Sequence, residues 1–125
     1  MAIVWTTEET FLPKQTEAQI QRAVWTHYKT RRAPDTWGCA IPNGIRSNPI
    51  AIRNEKLKGF VPGSPDLIFV KNGEFFGLEL KADGGRPTLA QLEQADEIRL
   101  AGGYTVIAEG LDEAIKCLET WGIIK

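Results

Sequence analysis

Asp66, Glu79 and Lys81 are the residues of this chain whose types and spacing could do chemistry together. Asp66 opens a short apolar run that continues Leu67-Ile68-Phe69-Val70. Glu79 and Lys81 close a second run, which begins at Glu74. Between the runs stands Asn72-Gly73, the strongest short-range signal for a two-residue hairpin, because that turn demands positive φ at both central positions. With those two residues as the loop, Lys71 faces Glu74 and the pairing continues outward until Asp66 stands opposite Glu79. Opposed residues of an antiparallel pair share a face, with Cβ atoms roughly 4.5–5.5 Å apart. Lys81, two residues further on, projects from that same face. Facing carboxylates repel, and a cation between them removes the penalty. Mg²⁺ takes oxygen ligands at about 2.0–2.1 Å, a spacing that Asp and Glu on adjacent strands can supply. The same residues also fit an ordinary surface hairpin, with an aspartate at its mouth and a Glu-Lys pair in water.

The elements that must position this trio can be read on either side of it. Thr16 and Gln19 form a capping box that opens a helix over residues 16 to 30, with Ile20, Val24 and Tyr28 at helical spacing. Glu17 falls within that apolar stripe. It either needs a partner there or simply favours the positive end of the helix. Thr36 to Ile41 is expected as a strand that ends at Pro42-Asn43-Gly44, with Cys39 as a small buried residue of it. Asn48-Pro49 starts a short helix to Lys58, stopped by Gly59. The turn-rich Val61-Pro62-Gly63-Ser64-Pro65 then delivers the chain to Asp66. After Lys81 comes a glycine-rich loop that contains Arg86. A second capping box, Thr88 with Gln91, opens a helix to about Ala101. Tyr104 to Ala108 is a buried-type strand, and Leu111 to Trp121 a final helix. A strand, a helix and a strand in that order imply a parallel crossover. The architecture expected is α/β: one domain, order α-β-(α)-β-β-α-β-α, with a mixed four-stranded sheet flanked by helices.

A chain of 125 residues is long enough for one real core and too short for two. No apolar run approaches the ~20 residues of a membrane span, and the first ten residues do not read as a secretory signal. Cys39 and Cys117 are far apart, which suggests a reduced, intracellular setting rather than a zinc or redox motif. His27 is the lone histidine, so a histidine-based metal site or hydrolase triad is not expected. The net charge of −1 hides an asymmetry: Arg22 to Lys58 holds eight basic residues against Asp35 and Glu55. That segment suits an anionic partner such as a phosphate backbone, or equally a solvated mixed surface. Arg46, Arg53, Lys56, Lys58 and Arg86 are the candidates to hold flanking phosphates. Asn43 and Gly44 stand beside them, although Asn-Gly is also plain turn chemistry. Trp25, Trp37 and Trp121 are read as core or interface residues.

Pro65-Asp66 followed by Glu79-Leu80-Lys81 resembles the signature of the PD-(D/E)xK nuclease superfamily. The surrounding sequence resembles its VRR-NUC (virus-type replication-repair nuclease) branch more specifically. The similar stretches are Pro42-Asn43-Gly44, Lys58 through Leu67, Gly77 through Lys81, Gly85-Arg86-Pro87-Thr88 with Gln91, and Gly103-Tyr104 with Ala108-Glu109-Gly110. The match covers about residues 16–118, the core of a single domain spanning 1–125. It implies a restriction-endonuclease-like fold and a Mg²⁺- or Mn²⁺-dependent DNA endonuclease without organic cofactor, often acting on branched substrates. By position, Asp66 and Glu79 would be metal ligands, joined by Glu17 and by the Leu80 carbonyl. Lys81 would be the catalytic lysine. Gln91 matches a family glutamine near the site, and its capping position is also a sufficient structural reason for it. A stand-alone domain of this kind suits a bacterial or phage origin and replication or repair. A homodimer would match the two-fold symmetry of a four-way (Holliday) junction. The alternatives are a non-catalytic nucleic-acid-binding module on a nuclease fold, or a restriction-type enzyme that reads a duplex sequence.

Overall fold

The sheet grows outward from the Asn72-Gly73 turn. In the computed structural model, which describes residues 14–42 and 48–125, Asn72 has φ 51° and Gly73 φ 78°. Both central residues are thus left-handed, as this hairpin requires. Strands β2 (Leu67–Lys71) and β3 (Glu74–Lys81) pair antiparallel with Lys71 opposite Glu74 and Leu67 opposite Leu78, the register expected from the turn. Strand β1 (Thr36–Ala40) adds antiparallel to β2, and β4 (Tyr104–Glu109) adds parallel to β3. The order is therefore β1-β2-β3-β4, an open mixed sheet with β3 inside it.

Helices α1 (Glu17–Arg31) and α4 (Gly110–Trp121) cover one face. There Ile20, Val24 and Tyr28 of α1 and Ala114 and Leu118 of α4 pack on Leu67, Phe69, Leu78 and Leu80. Tyr28 is satisfied within this core by a 3.1 Å hydrogen bond between its hydroxyl and that of Thr36. Side chains alternate along a strand. Since Phe76, Leu78 and Leu80 enter this core, Gly77, Glu79 and Lys81 project from the opposite face. Helix α3 (Leu89–Leu100) lies against β4 on that side, where the Thr105 hydroxyl donates to the Ala95 carbonyl at 3.4 Å.

Both capping boxes form. Thr16 closes on Gln19 at the start of α1, and Thr88 on Gln91 at the start of α3. Helix α2 (Pro49–Leu57) is capped by Asn48, whose side chain accepts from the amides of Ile50 and Ala51, and it buries none of its residues. The last helix begins one residue earlier than its apolar spacing suggests. Its N-cap, Glu109, makes no side-chain cap bond; instead the Glu113 carboxylate accepts the Glu109 amide at 2.7 Å. Cys39 is half-buried rather than buried, and Trp37 is 54% exposed on β1. Asn43, Gly44 and Arg46 lie outside the described residues. No helix among the described residues is long and apolar enough to cross a membrane.

Candidate active site

Asp66 stands one residue before β2, at the mouth of the hairpin, and the ladder register carries it to a position facing Glu79. Its carboxylate is held by the backbone: Oδ2 accepts the Leu80 amide at 2.8 Å. A strand residue sends its N–H and C=O toward the same neighbour, so the Leu80 carbonyl also faces the Asp66 side. Glu79 is 6% exposed. One of its oxygens, Oε1, accepts a 2.7 Å hydrogen bond from the Gln91 side-chain amide, while the other, Oε2, is buried without a partner. An orphaned buried carboxylate oxygen is costly. Its acidity shows that cost. Burial pushes the Glu79 carboxyl up to about 8, reinforced by the negative charge of Asp66 and by a hydrogen bond the pair can share once one of them is protonated. Lys81 opposes the rise, and Glu17 adds to it slightly.

Lys81 is 7% exposed and takes part in none of the ion pairs among the described residues. It lines a cavity of about 400 Å³ together with Glu17, Thr88, Gln91, Ile52 and Phe60. The trio expected from the hairpin is thus brought together, and Gln91 joins it. Glu17 reaches the same cavity from the first turn of α1, but it is exposed rather than core-facing. Among the described residues no three His, Cys, Asp or Glu side chains gather closely enough to hold a metal between them. Glu17 acts on Glu79 through its charge. The residues present nonetheless fit a hard divalent ion. Two carboxylates and a carbonyl are oxygen donors of the type Mg²⁺ takes, and the unpartnered Oε2 lacks the positive neighbour that such an ion is.

The sequence did not disclose how Gln91 serves two ends. Its side-chain oxygen accepts the Thr88 amide at 2.9 Å in the capping box, which leaves its NH₂ free to point at Glu79. A glutamine three residues after a capping threonine shows only the first of these jobs. The cavity walls Ile52 and Phe60 were also not foreseen, and no local signal marks them. Gly63 holds the loop before Asp66 against α3. It has φ 86°, and a Cβ there would meet the Ala90 carbonyl oxygen at 2.4 Å. The basic candidates Arg53, Lys56, Lys58 and Arg86 are exposed and do not line the cavity, and Lys58 pairs with Glu55 at 2.7 Å. α2 still reaches the site, through Ile52.

No protein-family model matches the chain, and no curated protein does. Solved structures do. One, a VRR-NUC domain protein, superposes with a TM-score of 0.70 at 22% identity over 86% of this chain and 88% of its own. Another, a VRR-NUC domain, gives 0.58 at 17% identity over 86% of this chain and 99% of its own. This chain has the VRR-NUC fold. The coverage leaves little of the VRR-NUC structures unmatched, and the resemblance read from Pro65-Asp66 and Glu79-Leu80-Lys81 falls on the hairpin at the centre of that fold.

Proposed function

We propose that the protein is a divalent-metal-dependent nuclease that hydrolyses DNA phosphodiester bonds, selects branched DNA and acts in replication or repair. One observation carries the reading: a buried glutamate with an unpartnered oxygen faces an aspartate across a hairpin, and a buried lysine stands two residues away. A structural hairpin has no use for that arrangement, since each of its parts destabilises the fold. A phosphodiesterase does.

Phosphodiester hydrolysis requires that roughly 20 kcal/mol be removed from the barrier. Asp66 and Glu79, with the Leu80 carbonyl, would hold Mg²⁺ or Mn²⁺, and Glu17 would be in reach through water. A bound ion of this kind supplies Lewis-acid polarisation of the phosphate and a more acidic water. The chain's own residues do the rest. The Leu80 amide fixes Asp66, and Gln91 fixes Glu79, so neither carboxylate must reorient when substrate arrives. The Lys81 ammonium, shielded from bulk water, stabilises negative charge that builds on the phosphate oxygens in the transition state. Exposed Arg53, Lys56 and Arg86 meet flanking phosphates, which position the strand without reading its sequence. A two-fold dimer would set two such sites on the two halves of a four-way junction.

A nicking assay on duplex, flap and four-way-junction DNA tests the reading, with Mg²⁺, Mn²⁺ or chelator in parallel. Cleavage is expected with either metal, none with chelator, and a preference for the branched substrates. Lys81→Ala should slow cleavage on the order of a hundredfold or more while sparing binding; cleavage near the parent rate in this variant sinks the assignment. Sedimentation at assay concentration should show a dimer, and a strict monomer would remove symmetric junction resolution from the proposal.

A further inference from the structure

A groove of about 630 Å³ runs along one flank of α1, between that helix and the end of β1. Ala18, Arg22, Trp25 and Lys29 form its helical wall at i, i+4, i+7 and i+11, a single face of the helix. Ala40 of β1 and Leu67 of β2 help close it. From Ala18 to Lys29 the helix rises about 16 Å, so the groove is a channel rather than a pit.

The chemistry of this channel is one-sided. Among the described residues no acidic side chain lines it, and both of its charged residues are cations. Arg22 and Lys29 are exposed, and neither takes part in an ion pair among the described residues. Below them lies an apolar floor of Leu67, Ala40 and half-buried Trp25, whose ring is held against Tyr28 with centroids 5.2 Å apart. A cationic rim over an aromatic floor suits single-stranded nucleic acid, with phosphates on the rim and a flat base on the ring. Paired bases hide their faces in the stack. A duplex would therefore use the rim and leave the floor empty.

The channel begins beside the site along α1, where Ala18 follows Glu17, which lines the Lys81 cavity. Asp66 and Leu67 are also consecutive, with their side chains on opposite faces of the sheet. We infer that this groove binds unpaired nucleotides beside the site, so that branched substrates with a single-stranded arm are taken in preference to fully paired ones. The inference rests on the hydrolytic reading for the strand's path, but its test does not require hydrolysis.

Fluorescence anisotropy with a labelled oligothymidylate and with a blunt duplex of equal length, both in chelator, provides that test. Arg22→Gln combined with Lys29→Gln, both at exposed positions, should weaken oligothymidylate binding on the order of tenfold and lower its salt slope by roughly 0.7 for each cation removed. Affinity for the blunt duplex should fall as well, since a duplex engages the same rim. Trp25→Leu should weaken oligothymidylate binding with the salt slope unchanged and leave the blunt duplex within about twofold, a split that general unfolding would not produce. Absent single-strand binding, single-strand binding unchanged in both variants, or equal losses on both DNAs from Trp25→Leu, overturns the groove. A groove that behaves as expected in a protein that cuts no DNA would instead overturn the hydrolytic reading and leave the groove standing.

Discussion

On the face covered by α1 and α4, Leu67, Phe69, Leu78 and Leu80 are buried among apolar neighbours, whereas on the α3 side the hairpin presents Asp66, Glu79 and Lys81. The strands are the same, and alternate residues serve opposite purposes. The first face holds the fold by many interchangeable contacts. The second is held by few and specific bonds, chiefly Leu80 to Asp66 and Gln91 to Glu79, around a carboxylate oxygen without a donor among the described residues. Stability and chemistry are thus segregated by strand alternation. A substitution should move one and spare the other according to the parity of its position.

The strongest test of that division is Leu78→Ala, at a side chain with 0% exposure. It should cost about 2–5 kcal/mol in urea unfolding, as deletion of a buried core leucine does, while folded protein retains its cleavage rate. Next in size is Lys81→Ala, expected to cut turnover on the order of 10²- to 10³-fold, as loss of a preorganised charge-stabilising group does, with a melting temperature no lower than that of the parent. Equal damage to stability and turnover in either variant would erase the distinction between the faces.

Glu79 gives a subtler test through pH. Its folded carboxyl titrates at about 8 against 4.5 in the unfolded chain. Between those values the folded state keeps a proton that the unfolded state has lost, so stability contributed by this group falls as pH rises. In chelator, the melting temperature of the wild type should decline from pH 5 to pH 8, as its unfolding free energy falls by on the order of 1 kcal/mol per pH unit at most. Glu79→Gln should flatten that decline, and Mg²⁺ should offset it in the wild type only. A wild-type profile that rises over this range would show Glu79 to be ionised and satisfied in the folded protein. The smallest effect expected is that of Thr88→Ala, which removes one cap of α3 and costs about 1 kcal/mol. The backbone amide that holds the Gln91 side chain stays in place, so turnover of the folded variant should not change. Gln91→Ala removes the Glu79 contact as well, and unchanged turnover in that variant would reduce Gln91 to a capping residue.

Much of the frame was legible because local rules fix it. Asn72-Gly73 determines the register that puts Asp66 opposite Glu79, and both capping boxes mark where helices start. What stayed hidden depends on tertiary placement. The sequence left Glu17 open between a core-facing stripe and an exposed first turn, and only the fold shows it exposed at the Lys81 cavity. The contact of Gln91 with Glu79 exists only because α3 docks over the sheet. Trp25 and Trp37 looked alike in sequence, but one is packed against the core and the other stands exposed on β1. The burial of Lys81 could not be read from a charge in an apolar run, since such residues usually keep their ammonium in water.

The mixed pairing of the sheet sets an order of assembly. β2 and β3 meet through a two-residue turn, while β4 reaches β3 only after the whole of α3 has been traversed. Hairpins close in about 1–10 μs, ahead of long-range pairing. Asp66 and Glu79 therefore come face to face while still hydrated, and dehydration arrives when α3 and β4 settle. On that sequence of events, alkaline conditions hasten unfolding and leave the refolding limb of a chevron nearly untouched. The acid pair would then act as a timer on how long the native state lasts, rather than as an obstacle to reaching it.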